Sequence, residues 1–176
     1  MTANQSAAAF ITGLFETHLQ VANLELSMEF YERILGLELA MKEQARRVAF
    51  YWVGGYGKTV LGLWEKPPWV SGRSPGAQII TQHFAFEIDL ADLGRTVAAV
   101  KQRGIELRNF FEQITDIPSV FGWLPAASMY FNDPDGHLLE FLAKLPGKKR
   151  PEIGIVSLDE WNRLNQSPNS TPTTSR

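Results

Sequence analysis

"NDPDGHLLEFL" occupies residues 132–142. Its first half is turn chemistry: Asn and Asp bond the backbone locally, Pro fixes φ, and Gly tolerates positive φ. Its second half reads as a strand, yet Glu140 stands among Leu138, Leu139, Phe141 and Leu142. A buried carboxylate is costly unless something pairs with it. The strand that lies beside this one therefore decides both the fold and the chemistry.

Working back from that stretch, the body reads as two copies of one unit. The first opens with the alternating "FETHLQV" (15–21). A helix is expected over 23–36, with Leu24, Met28, Tyr31 and Leu35 on one stripe, Asn23 as cap and Gly36 as stop. "LELAMKE", "RVAFYWV" and "KTVLGLWE" follow as three strands. The second unit opens with "HFAFEID" (83–89), and a helix is expected over 90–103 with Gly104 as stop. "IELRNFF", "ASMYF" and "HLLEFLA" are its expected strands. "GLEL" at 36–39 recurs as "GIEL" at 104–107, each time directly after the helix. Aligning the opening strands on Val21 and Ile88 pairs Glu16 with His83.

Each unit is thus strand, helix and three strands. The expected fold is α+β: two βαβββ modules forming an open, eight-stranded, barrel-like sheet with helices outside and a cleft inside. Module one spans 14–66 and module two 80–145. Residues 146–165 form an extension, in which Ser157 and Glu160 have capping-box spacing for a short helix. The Ser/Thr/Pro-rich tail, 166–176, is expected to be disordered. Long loops are often functional, and "EQITDIPSVFGWLPAA" (112–127) is expected as a lid.

Composition narrows the partners. The chain of 176 residues carries 17 basic and 19 acidic side chains, net −2, so nothing points to nucleic acid or an anionic membrane. No apolar run approaches the ~18 residues of a membrane helix, and the N-terminus lacks signal-peptide character, so a cytoplasmic protein is expected. Cysteine is absent, which leaves His, Asp and Glu as metal ligands.

Strand alternation assigns faces. Phe84, Phe86 and Ile88 should face the helices, and His83, Ala85 and Glu87 the cleft. In the first unit Leu19 and Val21 should face the helices, and Glu16, His18 and Gln20 the cleft. Two of the three histidines thus open the two units. Two imidazoles and a carboxylate suit a divalent metal with positions left open for substrate or water. The expected ligands are His83, Glu140 and one of His18 or Glu16. His137, three residues before Glu140, should point away from it or outward as a polar residue flanking the turn. Trp64, Trp123 and Tyr130 are candidates for an aromatic pocket.

"FYERILGLEL", "HFAFEID" and above all "DPDGHLLEF" resemble the vicinal oxygen chelate superfamily, over about residues 14–145. That superfamily includes glyoxalase I, fosfomycin-resistance thiol transferases, extradiol dioxygenases and bleomycin-resistance proteins. The resemblance implies a glyoxalase-like domain over 1–145 with one divalent ion (zinc, nickel, manganese or iron), and His83 and Glu140 as the second module's ligands. It also implies a small-molecule substrate and a homodimer.

The first module departs from the pattern. "ETHLQV" resembles the glyoxalase I stretch whose first residue is the ligand, which here is Glu16, with His18 one pleat on. The carboxylate that glyoxalase I takes from the last strand of that module would fall at Leu61 or Gly62, neither able to ligate; Glu65 is the nearest carboxylate. Gln20 stands where glyoxalase I has an arginine for glutathione's carboxylate. The reading is a metal-dependent lyase or isomerase, with Glu16 and Glu140 as carboxylates able to move a proton. Dioxygenase chemistry and thiol transfer are alternatives, as is a metal-free protein that sequesters a drug. Since alternation places no Arg or Lys in the cleft, weak turnover of the methylglyoxal–glutathione adduct is expected, with a smaller or less charged substrate.

Overall fold

The computed structural model describes residues 12–66 and 79–166. The chain divides into two compact units between Ile80 and Thr81.

Unit 1 begins with β1 (Glu16–Gln20), whose outward Glu16 and inward Leu19 follow the alternation. Asn23 then caps α1 (Leu24–Glu29), its side chain accepting from the Leu26 amide at 3.0 Å. The expected single helix over 23–36 is not one helix: a π-helical turn, Phe30–Ile34, completes it, and both Phe30 and Tyr31 are buried there. Gly36, at φ 73°, ends the segment in the left-handed region that glycine adopts freely. β2 (Glu38–Glu43), β3 (Val48–Val53) and β4 (Thr59–Trp64) follow. The sheet order is β1-β4-β3-β2, with β1 parallel to β4 and the other pairs antiparallel. Leu19, Tyr51, Leu61 and Leu63 lie on one face of this sheet and are fully buried with Leu24 and Tyr31 of the helix.

Unit 2 begins with β5 (His83–Glu87) and, after a 3-10 turn at Leu90–Asp92, continues with α2 (Leu93–Gln102), which buries Leu93, Val97 and Val100. β6 (Ser119–Phe121), β7 (Leu124–Asn132) and β8 (Leu138–Lys144) complete the repeat. β5 runs parallel to β8, as β1 does to β4. Phe86, Phe131, Leu139 and Phe141 form the helix-facing core, with Phe131 stacked on Phe141 at 4.7 Å.

Three expectations change here. "IELRNFF" is not a strand. Arg108 alone forms isolated bridges, to Ile114 and to Tyr130 of β7. The cause is Asn109, whose side chain accepts from the amides of Phe111 and Gln113 and bends the chain into a turn; local bonds of this kind compete with a ladder. The second half of the expected lid at 112–127 is sheet, since it contains β6 and the start of β7. The extension adds a fifth strand, β9 (Ile155–Ser157), to the edge of β6, giving the order β5-β8-β7-β6-β9. The described residues therefore form sheets of four and five strands rather than four and four.

α3 (Leu158–Gln166) is the short helix expected in the extension, and Ser157 Oγ accepts from the Glu160 amide at 3.1 Å as the capping-box spacing requires. Beyond Gln166 the expected tail lies outside the described residues, as does the Pro67-Pro68 turn. None of the described helices is long and apolar enough to cross a membrane.

Candidate active site

Glu140 is 5% exposed in the middle of β8. It faces away from Leu139 and Phe141, on the side of the sheet that carries Tyr130 of β7 and His83 and Ala85 of β5. Its partner is His83: Nε2 lies 3.3 Å from Glu140 Oε2. The other ring nitrogen of His83 is 3.0 Å from the Leu138 carbonyl oxygen. A carbonyl only accepts, so Nδ1 carries the proton and Nε2 of the neutral ring turns a lone pair toward the carboxylate. Two acceptors face each other there, which is favourable only with a cation between them, either a proton or a metal ion. Glu140 Oε1 is buried with no hydrogen-bond partner among the described residues. This donor set fits a divalent metal: a neutral imidazole oriented by a backbone carbonyl, beside a buried carboxylate.

A cavity of about 590 Å3 adjoins the pair, lined by His83, Arg108, Asn109, Phe110, Glu112, Tyr130, Asn132 and Leu138. Burial, and then the charge of Glu140, push the Tyr130 phenol up to about 12. Tyr130 is therefore a neutral hydrogen-bond donor near pH 7.

Arg108 corrects the expectation that no cation lies here. Its backbone is fixed by reciprocal 2.8 Å bonds with Tyr130. Its Nε and Nη2 donate to Glu106 Oε1 and its Nη1 to Asn132 Oδ1. A guanidinium has five N–H groups, so two remain without a partner among the described residues. Reading "IELRNFF" as a plain strand hid this residue. The available signal was an arginine followed by the turn-former Asn109 and two aromatics.

Unit 1 presents a second pair. Glu16 Oε1 and His18 Nε2 are in contact on the face of β1 opposite Leu19. The His18 ring packs edge-on against Phe50 at 5.7 Å and lies 5.9 Å from Trp64. Trp64 is buried there, and Gln20 is its register partner at the end of β1.

Glu65 is otherwise engaged. Oε2 accepts from the Leu24 amide at 3.0 Å, capping α1, and pairs with Arg47. Arg47, and then the Leu24 amide, hold its carboxyl below the usual range. Trp123 is 58% exposed, between β6 and β7, and does not line the cavity. His137 does not point outward: it is fully buried, with Nδ1 accepting from the Gln82 amide at 3.0 Å and its own amide donating to Asp133. Within neither unit do three or more His, Asp or Glu side chains gather, among the described residues. The residues that the sequence offers as ligands lie as one His–Glu pair in each unit, His18 with Glu16 and His83 with Glu140.

The family model of the Glyoxalase/Bleomycin resistance protein/Dioxygenase superfamily matches residues 13–141. The chain belongs to this superfamily. It is 32% identical over 143 residues to a lactoylglutathione lyase of Neisseria meningitidis serogroup A, covering 76% of this chain and 92% of that protein. Among solved structures it resembles an integron cassette protein from the mobile metagenome of the Halifax Harbour sewage outfall, at TM-score 0.61 and 35% identity. That match covers 76% of this chain and 99% of the other. A lactoylglutathione lyase from Agrobacterium tumefaciens shares the glyoxalase fold at TM-score 0.57, with 21% identity, 76% of this chain and 94% of that one.

Proposed function

We propose that this superfamily member is a metal-dependent lyase or isomerase acting on a small, carboxylate-bearing molecule in the cavity of unit 2. The observation that carries it is His83 Nε2 facing Glu140 Oε2 at 3.3 Å while Nδ1 is turned to the Leu138 carbonyl. His83 and Glu140 would hold the ion, and His18 and Glu16 are the candidates for further ligands. Metal stoichiometry decides whether the two pairs serve one ion or two. A divalent ion supplies Lewis acidity, polarising two neighbouring substrate oxygens.

The chain's own groups do the rest. The Leu138 carbonyl fixes the His83 tautomer. Tyr130 donates a neutral hydrogen bond at the cavity wall. The two remaining N–H groups of Arg108 suit a carboxylate, for which charge-assisted bonds are about twice as strong as neutral ones. One of the two carboxylates, Glu16 or Glu140, would move the proton. Arg108 thereby removes the objection that Gln20 raised against a glutathione adduct. The same reading includes a cytoplasmic homodimer, which light scattering would report as a species of about twice the 19.8 kDa chain.

The test is to load the protein separately with nickel, zinc, manganese and ferrous iron, then assay the methylglyoxal–glutathione adduct and a catechol panel. Adduct turnover with nickel or zinc is expected, with Arg108→Ala raising KM about 10-fold while kcat changes less. Oxygen consumption with iron and a catechol would overturn this in favour of dioxygenase chemistry. Silence throughout, with tight binding of a drug-like ligand, would make it a sequestering protein.

A further inference from the structure

The two units carry their titratable side chains in opposite places. In unit 2, Glu140 on β8 is the register partner of Ala85 on β5. Counting from the first residue of each opening strand, Ala85 corresponds to His18 and Glu140 corresponds to Gly62. Gly62 is the register partner of His18. Thus one unit has a small residue on the opening strand and a carboxylate on the last, and the other has an imidazole on the opening strand and no side chain on the last.

The vacated volume is filled. A Cβ at Gly62 would lie 2.9 Å from His18 Cδ2, 3.0 Å from Phe50 Cε1 and 3.2 Å from His18 Nε2. Gly62 is not in the left-handed region, so its backbone does not call for glycine; the imidazole does. The ring is further enclosed by Phe50 and Trp64. Its Nε2 is buried and directed at Glu16 Oε1, which gives an imidazole and a carboxylate meeting at one point, as in unit 2.

We propose that Gly62 is the cradle of a divalent-cation half-site in unit 1, in which the His18 imidazole takes the place that Glu140 holds in unit 2 and Glu16 takes the place of His83. The pair is chemically the same, one nitrogen and one carboxylate, with the two groups exchanged between positions. The choice left open by the sequence, His18 or Glu16, becomes His18 with Glu16. The inference rests on the metal-dependent reading above and names the nitrogen and the carboxylate that unit 1 would offer an ion.

The test uses the full chain, stripped of metal by a chelator and titrated with zinc or nickel. Metal retained per chain and the metal-induced rise in Tm are read without any activity assay. His18→Ala is expected to weaken retention at least about 10-fold. Gly62→Ala should do the same by pushing the ring off its seat. His18→Ala combined with Gly62→Glu recreates the Ala85/Glu140 arrangement and should regain most of the lost affinity. Should Gly62→Ala fail to fold, the other two variants still decide, since neither places a Cβ against the imidazole. His83→Ala separates the two claims. If it loses metal while His18→Ala binds as the wild type, the half-site is wrong and the metal reading stands. Wild-type binding in both would overturn both.

Discussion

His83 Nε2 and Glu140 Oε2 face each other at 3.3 Å, with the His83 Nδ1 proton already committed to the Leu138 carbonyl. Without a cation the pair is a buried carboxylate looking at a lone pair, and Glu140 is only 5% exposed. Such an arrangement costs stability in the free protein and returns it when a cation binds.

Glu140→Gln should therefore separate stability from binding. It removes the buried charge and keeps the shape, so the metal-free protein should gain on the order of 1 kcal/mol. Calorimetry should then give a higher Tm for the variant without metal and a lower one with it. A metal-free variant less stable than the wild type would reject the view that this carboxylate is strained when empty.

Arg47 ties β3 to the start of α1 through Glu25 and Glu65. The hydrogen bonds from Arg47 hold the Glu25 carboxyl at about 2 against an ordinary 4.5. A depressed carboxylate stabilises the fold above its unfolded value and loses that contribution as pH falls through the folded value. The Tm difference between wild type and Arg47→Met should be full above pH 4.5 and vanish toward pH 2. High salt should shrink it, because Glu25 is exposed and Arg47 only half-buried.

Gly122, in the turn between β6 and β7, is pressed against Arg150 and Gly154 of the extension. A Cβ there would lie 2.2 Å from the Arg150 carbonyl oxygen, and the Gly122 amide and carbonyl bond Gly154 and Arg150. The obstruction is backbone, which cannot swing aside. Gly122→Ala should cost about 1–3 kcal/mol and loosen the edge strand β9, seen as faster amide exchange at Val156 and at Leu158, which donates to the Pro118 carbonyl. Exchange unchanged there would show that the turn absorbs the methyl group elsewhere.

His137 braces the site from behind. Nδ1 accepts from the Gln82 amide, the residue before His83. His137→Ala should take the acceptor from that part-buried amide, costing about 1 kcal/mol, and weaken metal retention through a misplaced His83. His137→Phe, which fills the volume and lacks the acceptor, should show the same loss. Recovery with Phe would mean that packing alone is the role of His137.

Local chemistry made much of this legible in the sequence. The turn at 132–136, the caps at Asn23 and Ser157, the helix stops at Gly36 and Gly104 and the alternation that turned His83 and Glu16 each to the helix-free face of its own sheet all depend on neighbours within a few residues. The pairing of Glu140 with His83 was also within reach, because a repeated βαβββ order brings its first and last strands together. What the tertiary structure decided depends on contacts far apart in the chain. Glu65 became a helix cap because Arg47 and Leu24 reach it. His137 became core because the Gln82 amide needed an acceptor. Arg108 entered the cavity because Asn109 folded the chain back on itself and β7 held it at Tyr130. The seat of His18 over Gly62 exists only once β1 and β4 lie side by side, because an empty volume belongs to no single stretch of sequence.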